Sequence, residues 1–444
     1  MIGPIALDVK QSFEDRWSKE SGDVDHVGKS KFMTNLIDTL KDSDDSEDTE
    51  TDTESKHVCK YGKKGHAEDS DCEDKDGSWT IQLFRSITAD SCKMESNRKS
   101  ILHSVGGSQE GQIVEKSIHD CMVREIRRAK RFIYLENQYF LGSSQDWHKD
   151  SNNKCQNLIP IELTKKIVEK ICFGEKFKVY IIIPMFPEGD PTSMASQEIL
   201  YWQYRTMEFM YKRIAQAINV SGNGSQPNDY LAFFCLGKRE SNDESVWSKL
   251  SKPRPGTIEE KLRQSQRQPI YVHSKMSIFD DEYILVGSAN INERSLAGDR
   301  DTEIAVGGYE PRHICRFGKM GHILRHIQNP KEDDHTEGNS KGAVHTFRMA
   351  LWSSHFGGYN EVFLNPESDE CLEMVRKLSQ NFQKLYIQDK PEHSDCHAMP
   401  YPIEIDEKGN IKPAKSWNCF PDTTCPVFGQ RSSILGMGTQ KLTT

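Results

Sequence analysis

The sequence predicts an α/β layered domain, and three observations predict it. Short, fully apolar runs alternate with longer segments whose apolar residues recur every three or four positions. The runs FIYL at 132–135, FKVYIIIP at 177–184 and YLAFFCL at 230–236 are apolar on both faces, as strands covered by helices on each side must be. Finally, 444 residues give room for two or three domains and a sizeable core.

Taken in order, residues 5–40 read as amphipathic helix, with Phe13, Trp17, Phe32, Leu36 and Leu40 on one stripe. An acidic insert follows over 41–78. Its residues 41–76 hold 14 Asp or Glu against 6 Lys, a net of −8 out of the chain's −9. With almost no aliphatic content it cannot offset the entropy of ordering, so it reads as disordered. His57, Cys59, His66 and Cys72 lie within it, but their spacing matches no familiar zinc pattern, and a solvated loop is the better reading.

Residues 79–387 carry the alternation. Ile118, Met122, Ile126 and Ala129 form a helical stripe ahead of the strand at 132–135, and Leu163, Ile167 and Ile171 form another ahead of 177–184. A long helix at about 195–218 precedes the strand at 230–236, and residues 238–268, rich in Lys, Arg, Ser and Pro, read as an exposed loop. IYVHSKMSIF at 270–279 and YILVGSAN at 283–290 read as strands of a hairpin turned by Asp280, Asp281 and Glu282. A strand at 302–308 and helices near 346–356 and 368–386 follow, and 388–444 reads as an irregular C-terminal extension packed on the body.

Composition narrows the function classes. Outside the insert the chain is nearly neutral, which argues against nucleic acid as a partner. Twelve cysteines without one C-x-x-C pair read as reduced thiols of a cytoplasmic protein. The N-terminus has an acid by position 8 and no apolar core of secretory length. The longest apolar run falls far short of the roughly 20 residues that cross a bilayer. A membrane would therefore be met only peripherally.

The chemistry concentrates at His273 and Lys275, because residues i and i+2 of a strand project to the same face. An imidazole can attack phosphorus or carry a proton near neutral pH, and an ammonium can hold a phosphate oxygen. Ser288 and Asn290, at the end of the paired strand, add short donors to the same place. By itself such a pair is a weak signal, since most are strand edges facing water. Asp280, at the hairpin apex, is better suited to tying down the turn than to orienting an imidazole. Asn137 and Gln138 follow a buried strand, where substrate-lining groups often emerge. Arg124, Arg127, Arg128, Lys130 and Arg131 cluster on a helix, as a solvated face or a contact for anionic headgroups.

YVHSKMSIFDDEYILVGSANINERSLAGDRDTEIAVGGY at 271–309 resembles the second H-x-K-x-x-x-x-D motif and the G-S-x-N segment of the phospholipase D superfamily. ENQYFLGSS at 136–144, IPMFPEGDP at 183–191 and YWQYRTMEFMY at 201–211 are similar to blocks of its plant phosphatidylcholine-hydrolysing branch. The resemblance implies a phospholipase D-like layered domain, a mixed β-sheet flanked by helices, one half of the two-motif arrangement plus extensions. It implies hydrolysis of phosphatidylcholine-type lipids to phosphatidic acid and free alcohol through a phosphohistidine intermediate. His273 would be one of two catalytic imidazoles, with Lys275 and Asn290 on phosphoryl oxygens and Ser288 assisting. Glu303 matches the carboxylate that contacts the histidine of the opposite half.

Only one H-x-K-x-x-x-x-D motif is present, at 273–280, so the chain looks like the C-terminal half of such an enzyme. A complementing half, a homodimer, or an inactive lipid-binding fragment would each account for that. The resemblance implies no metal in the chemistry itself. Calcium enters as a family-level expectation tied to lipid docking.

Overall fold

The apolar runs become the middle of the sheet, because a strand that is apolar on both faces is stable only between two covering layers. The computed structural model describes residues 5–20, 79–88, 91, 114–144, 155–240, 251–310, 342–389, 392–415 and 417–431. The acidic insert with its zinc candidates, the helical stripe beyond residue 20 and the last residues of the extension lie outside the described residues. In chain order the elements begin with α1 (Ile5–Glu20), β1 (Thr80–Thr88), β2 (Val114–Lys116), α2 (Ser117–Arg128), β3 (Phe132–Asn137), α3 (Ile159–Phe173) and β4 (Lys178–Ile182). Next come α4 (Met194–Ser221), β5 (Leu231–Arg239), α5 (Ile258–Ser265), β6 (Arg267–Ile270), β7 (Lys275–Phe279), β8 (Tyr283–Gly287), α6 (Glu293–Leu296) and β9 (Glu303–Tyr309). The last are α7 (Ala343–Phe356), α8 (Asp369–Ile387) and the short strands β10 (Ala398–Pro400), β11 (Ile403–Ile405) and β12 (Ile411–Pro413).

Ten strands form one mixed sheet in the order β10-β5-β4-β3-β7-β8-β9-β1-β2, with β6 also on β5. β3, β4 and β5 are parallel, and the strands on the other side of β3 are antiparallel. Each layer follows from the alternation of side chains along β3. Ile133 and Leu135 face the core under α2, α3 and α4, with Ile126, Ile167 and Ile214. Phe132 and Tyr134 face the second core under α7 and α8, with Trp352, Phe356 and Val375. The α/β layering is thus what the pattern predicted, and the mixed sheet flanked by helices is what the resemblance implied.

Two readings need correction. Residues 238–268 are not simply a loop, since α5 and the first residues of β6 lie within them. Polarity hid these elements: α5 is short and amphipathic, and β6 is a four-residue strand, RQPI, with little apolar content. The stretch 270–279 is not one strand. β6 pairs with β5, on the edge opposite β10, while β7 pairs with β3, so residues 271–274 must cross the sheet rim without ladder partners. The C-terminal extension packs on the body, where β10 joins β5 and Trp417, Phe420 and Val427 enter the larger core.

Candidate functional site

Topology assembles the site on one rim. β7 runs antiparallel to β3 with Asn137 opposite Lys275, so the start of β7 meets the end of β3. The end of β8 and the start of β9 adjoin them, with Gly287 opposite Ala305. Residues 138, 275, 288, 290 and 303 thus come together although 165 positions separate the first from the last. Carboxyl ends of parallel strands are where open α/β sheets place ligands.

Lys275 is half-buried and firmly held. Its Nζ donates to Gln138 Oε1 and to the His273 carbonyl, both at 2.7 Å. Burial pushes the ammonium below the ordinary lysine range, opposed by the carboxylates of Glu303 and Glu188. His273 lies on the crossing segment rather than on β7, so it does not share a strand face with Lys275 as expected. The two are joined instead through the His273 carbonyl. The imidazole is exposed, and its ring stands 6.2 Å from that of Tyr271. The Tyr271 hydroxyl in turn accepts from Gln138 Nε2 at 2.8 Å, which ties the crossing segment to β3.

Ser288 and Glu303 form a second unit. Ser288 Oγ donates to Glu303 Oε2 at 2.5 Å, and Ser295 Oγ donates to Oε1 at 2.6 Å. Burial raises the Glu303 carboxyl, and the two hydroxyls oppose that. Asn290 Oδ1 is buried and has no hydrogen-bond partner among the described residues. Gly287 explains the small residue before Ser288, since a Cβ there would stand 2.4 Å from the Ile304 carbonyl oxygen.

Two of the sequence candidates are structural. Asp280 sits at the far end of β7 from Lys275, so it is not part of the rim. Its Oδ1 accepts from the backbone N–H of Arg131 and Phe132 at 2.8 and 2.9 Å, and Oδ2 accepts from that of Lys130 at 2.7 Å. Asn137 is buried, and its Oδ1 accepts from the backbone N–H of Tyr139 and Ile291, pinning the two strand ends together. The basic cluster is mostly spent on carboxylates. Arg124 bonds Glu125, Arg127 grips Glu162 with two bonds at 2.7 and 2.8 Å, and Arg131 reaches Glu367 and the Asp280 carbonyl. A free anionic-lipid contact needs cations that are not already paired.

Sequence reading missed Tyr271, Glu188 and the buried group beneath the rim. Glu136 accepts from Ser274 Oγ at 2.8 Å and from Tyr134, and lies 2.8 Å from His355 Nε2. A glutamate ending a fully apolar strand was a usable signal, whereas His355, 219 positions away, offered none. No group of three or more His, Cys, Asp or Glu among the described residues could hold a metal ion. No described residue is therefore assigned to calcium.

An exposed imidazole, a fixed ammonium and a hydroxyl-carboxylate pair on one rim of a mixed sheet define the class: an α/β protein with a cluster of polar and charged side chains at its strand ends. The family model for phospholipase D matches residues 1–429, and the chain belongs to that family. Phospholipase D alpha 2 of Brassica oleracea var. capitata is 39% identical over 439 residues, covering 98% of this chain and 48% of that protein. Phospholipase D alpha 1 of Arabidopsis thaliana is 40% identical with the same coverage. The chain thus spans about half the length of the curated relatives it matches. Among solved structures, the phospholipase D family member Nuc of Salmonella typhimurium is 15% identical, with a TM-score of 0.22, over 57% of this chain and 93% of that one.

Proposed function

We propose that the chain supplies one half of a phospholipase D active site, acting on phosphatidylcholine-type lipids at a membrane surface. The observation that carries this is Lys275 Nζ held against the His273 carbonyl on the rim that also bears Ser288, Glu303 and the Asn290 amide, whose Oδ1 has no partner among the described residues. One neutral imidazole attacks phosphorus, and the other protonates the departing alcohol. Water then cleaves the phosphohistidine to give phosphatidic acid. Lys275 and Asn290 stabilise the charge that gathers on the non-bridging oxygens.

This chain brings one such histidine, so the second comes from another H-x-K set, in a complementing half or a second copy. Each Glu303 oxygen takes one hydroxyl and keeps a lone pair for the incoming imidazole. No helix among the described residues is long and apolar enough to cross a membrane, which fits an enzyme working from the side.

The test assays the chain alone and with a first-motif half of a relative, on phosphatidylcholine vesicles and on single-stranded DNA. Choline release that requires two H-x-K sets and disappears in His273→Ala supports the reading. DNA cleavage, or choline release that survives His273→Ala, overturns it. Sedimentation separates a second copy from a complementing half.

A further inference from the structure

We infer that Glu136, clamped by His355 of α7, is a positioning residue for this site and acts through Ser274. The inference rests on the reading above, in which Lys275 must be aimed at a phosphoryl oxygen. Residues 271–274 cross the rim without ladder pairing, so something other than the sheet must fix them. Val272 is buried and anchors the segment by packing. Ser274 anchors it by direction, through a 2.8 Å hydrogen bond to Glu136 Oε2.

Alternation along β3 turns Phe132, Tyr134 and Glu136 to the α7 side, so the Glu136 carboxylate lies beneath the residue joining His273 to Lys275. Its other oxygen is shared by the Tyr134 hydroxyl and His355 Nε2. The Tyr134 ring is itself locked edge-on against Trp352, 5.7 Å between centroids. Burial would raise the Glu136 carboxyl, but His355, Tyr134 and Ser274 outweigh it and hold the group below its usual range. An ionised carboxylate is a strong, fixed acceptor. Fixing Ser274 fixes the preceding carbonyl, and Lys275 Nζ donates to that carbonyl.

Two measurements test this. The first labels the chain with an amine-acylating reagent and reads Lys275 by mass spectrometry, with the exposed Lys212 as internal reference. Ser274→Ala should raise the Lys275 labelling rate roughly three- to tenfold, the loss of one hydrogen bond. Ser274→Thr, which keeps the hydroxyl, should match the parent. Glu136→Gln should reproduce the alanine effect, and the double variant should be no worse than either single one. The second measures turnover of phosphatidylcholine in the paired protein, where Ser274→Ala should lower kcat by about tenfold with KM unchanged. Unchanged labelling in Ser274→Ala overturns the inference, as do additive effects in the double variant or an unchanged kcat. Labelling needs no turnover, so a parent that hydrolyses nothing overturns the phospholipase reading while the labelling still decides this one. Should Glu136→Gln fail to fold, the two Ser274 variants suffice.

Discussion

At the scale of single residues, the rim is a balance of half-buried charges. Lys275 loses its proton below the ordinary lysine range because burial disfavours the ammonium, and Glu188 and Glu303 limit that loss. The alkaline limb of the pH profile for choline release should therefore fall below that range, and Glu188→Gln should move it lower still. Glu303 has the opposite sign. Its carboxyl is raised chiefly by burial, so the folded state favours the protonated form, and that contribution is lost as pH rises. Glu303→Gln should accordingly raise the melting temperature at pH 7, an advantage that vanishes in acid, while lowering turnover. Removal of the ammonium by Lys275→Met should cost about 10²-fold or more in kcat, in line with other oxyanion donors.

At the scale of elements, the β7–β8 hairpin joins the chemistry to the fold. Its turn places Asp280 and Asp281 at left-handed φ values of 55° and 59°, which aspartate tolerates and β-branched residues do not. Asp280 accepts three backbone N–H groups at the start of β3, so Asp280→Ala leaves all three short of a partner. We expect a loss of about 3 kcal/mol in denaturant unfolding, with kcat of the folded protein near the parental value. Asp281 turns to the other side and meets α7. Burial would raise its carboxyl, but Arg348, with two bonds at 2.8 Å, and His345 bring it down to about 2. A depressed carboxyl contributes stability that is complete above the unfolded value near 4 and is lost as pH falls toward 2. Melting curves should show Asp281→Asn less stable than the parent at pH 7 and nearly equal to it at pH 2.

At the scale of the whole molecule, the C-terminal extension and α8 close the far side of the sheet. Arg239 and Arg267 donate to the carbonyls of Tyr386, Ile387, Gln388 and Asp389, capping α8 with buried guanidinium groups. Arg267 also pairs with Asp422, which binds the extension to β6. Trp417, Phe420 and Val427 then fill the same core that α2, α3 and α4 cover. Truncation after residue 392 should therefore abolish the cooperative thermal transition followed by circular dichroism, whereas a dispensable tail would leave it intact.

The sequence by itself determined the layers and marked the candidate site. Fully apolar strands and periodic helices report burial directly, so β3, β4, β5, α2, α3 and α4 were legible as they stand, and His273, Lys275, Ser288 and Glu303 carried a recognisable spacing. Only the tertiary structure decided which polar groups share a rim. The break between β6 and β7 arises because their partners lie on opposite sides of β4, a fact of sheet order with no local trace. The same holds for Asp280, whose three acceptor bonds reach back about 150 positions, and for His355 beneath Ser274. Periodicity encodes how deeply a residue is buried, whereas the partner of a buried polar group depends on how distant strands are ordered.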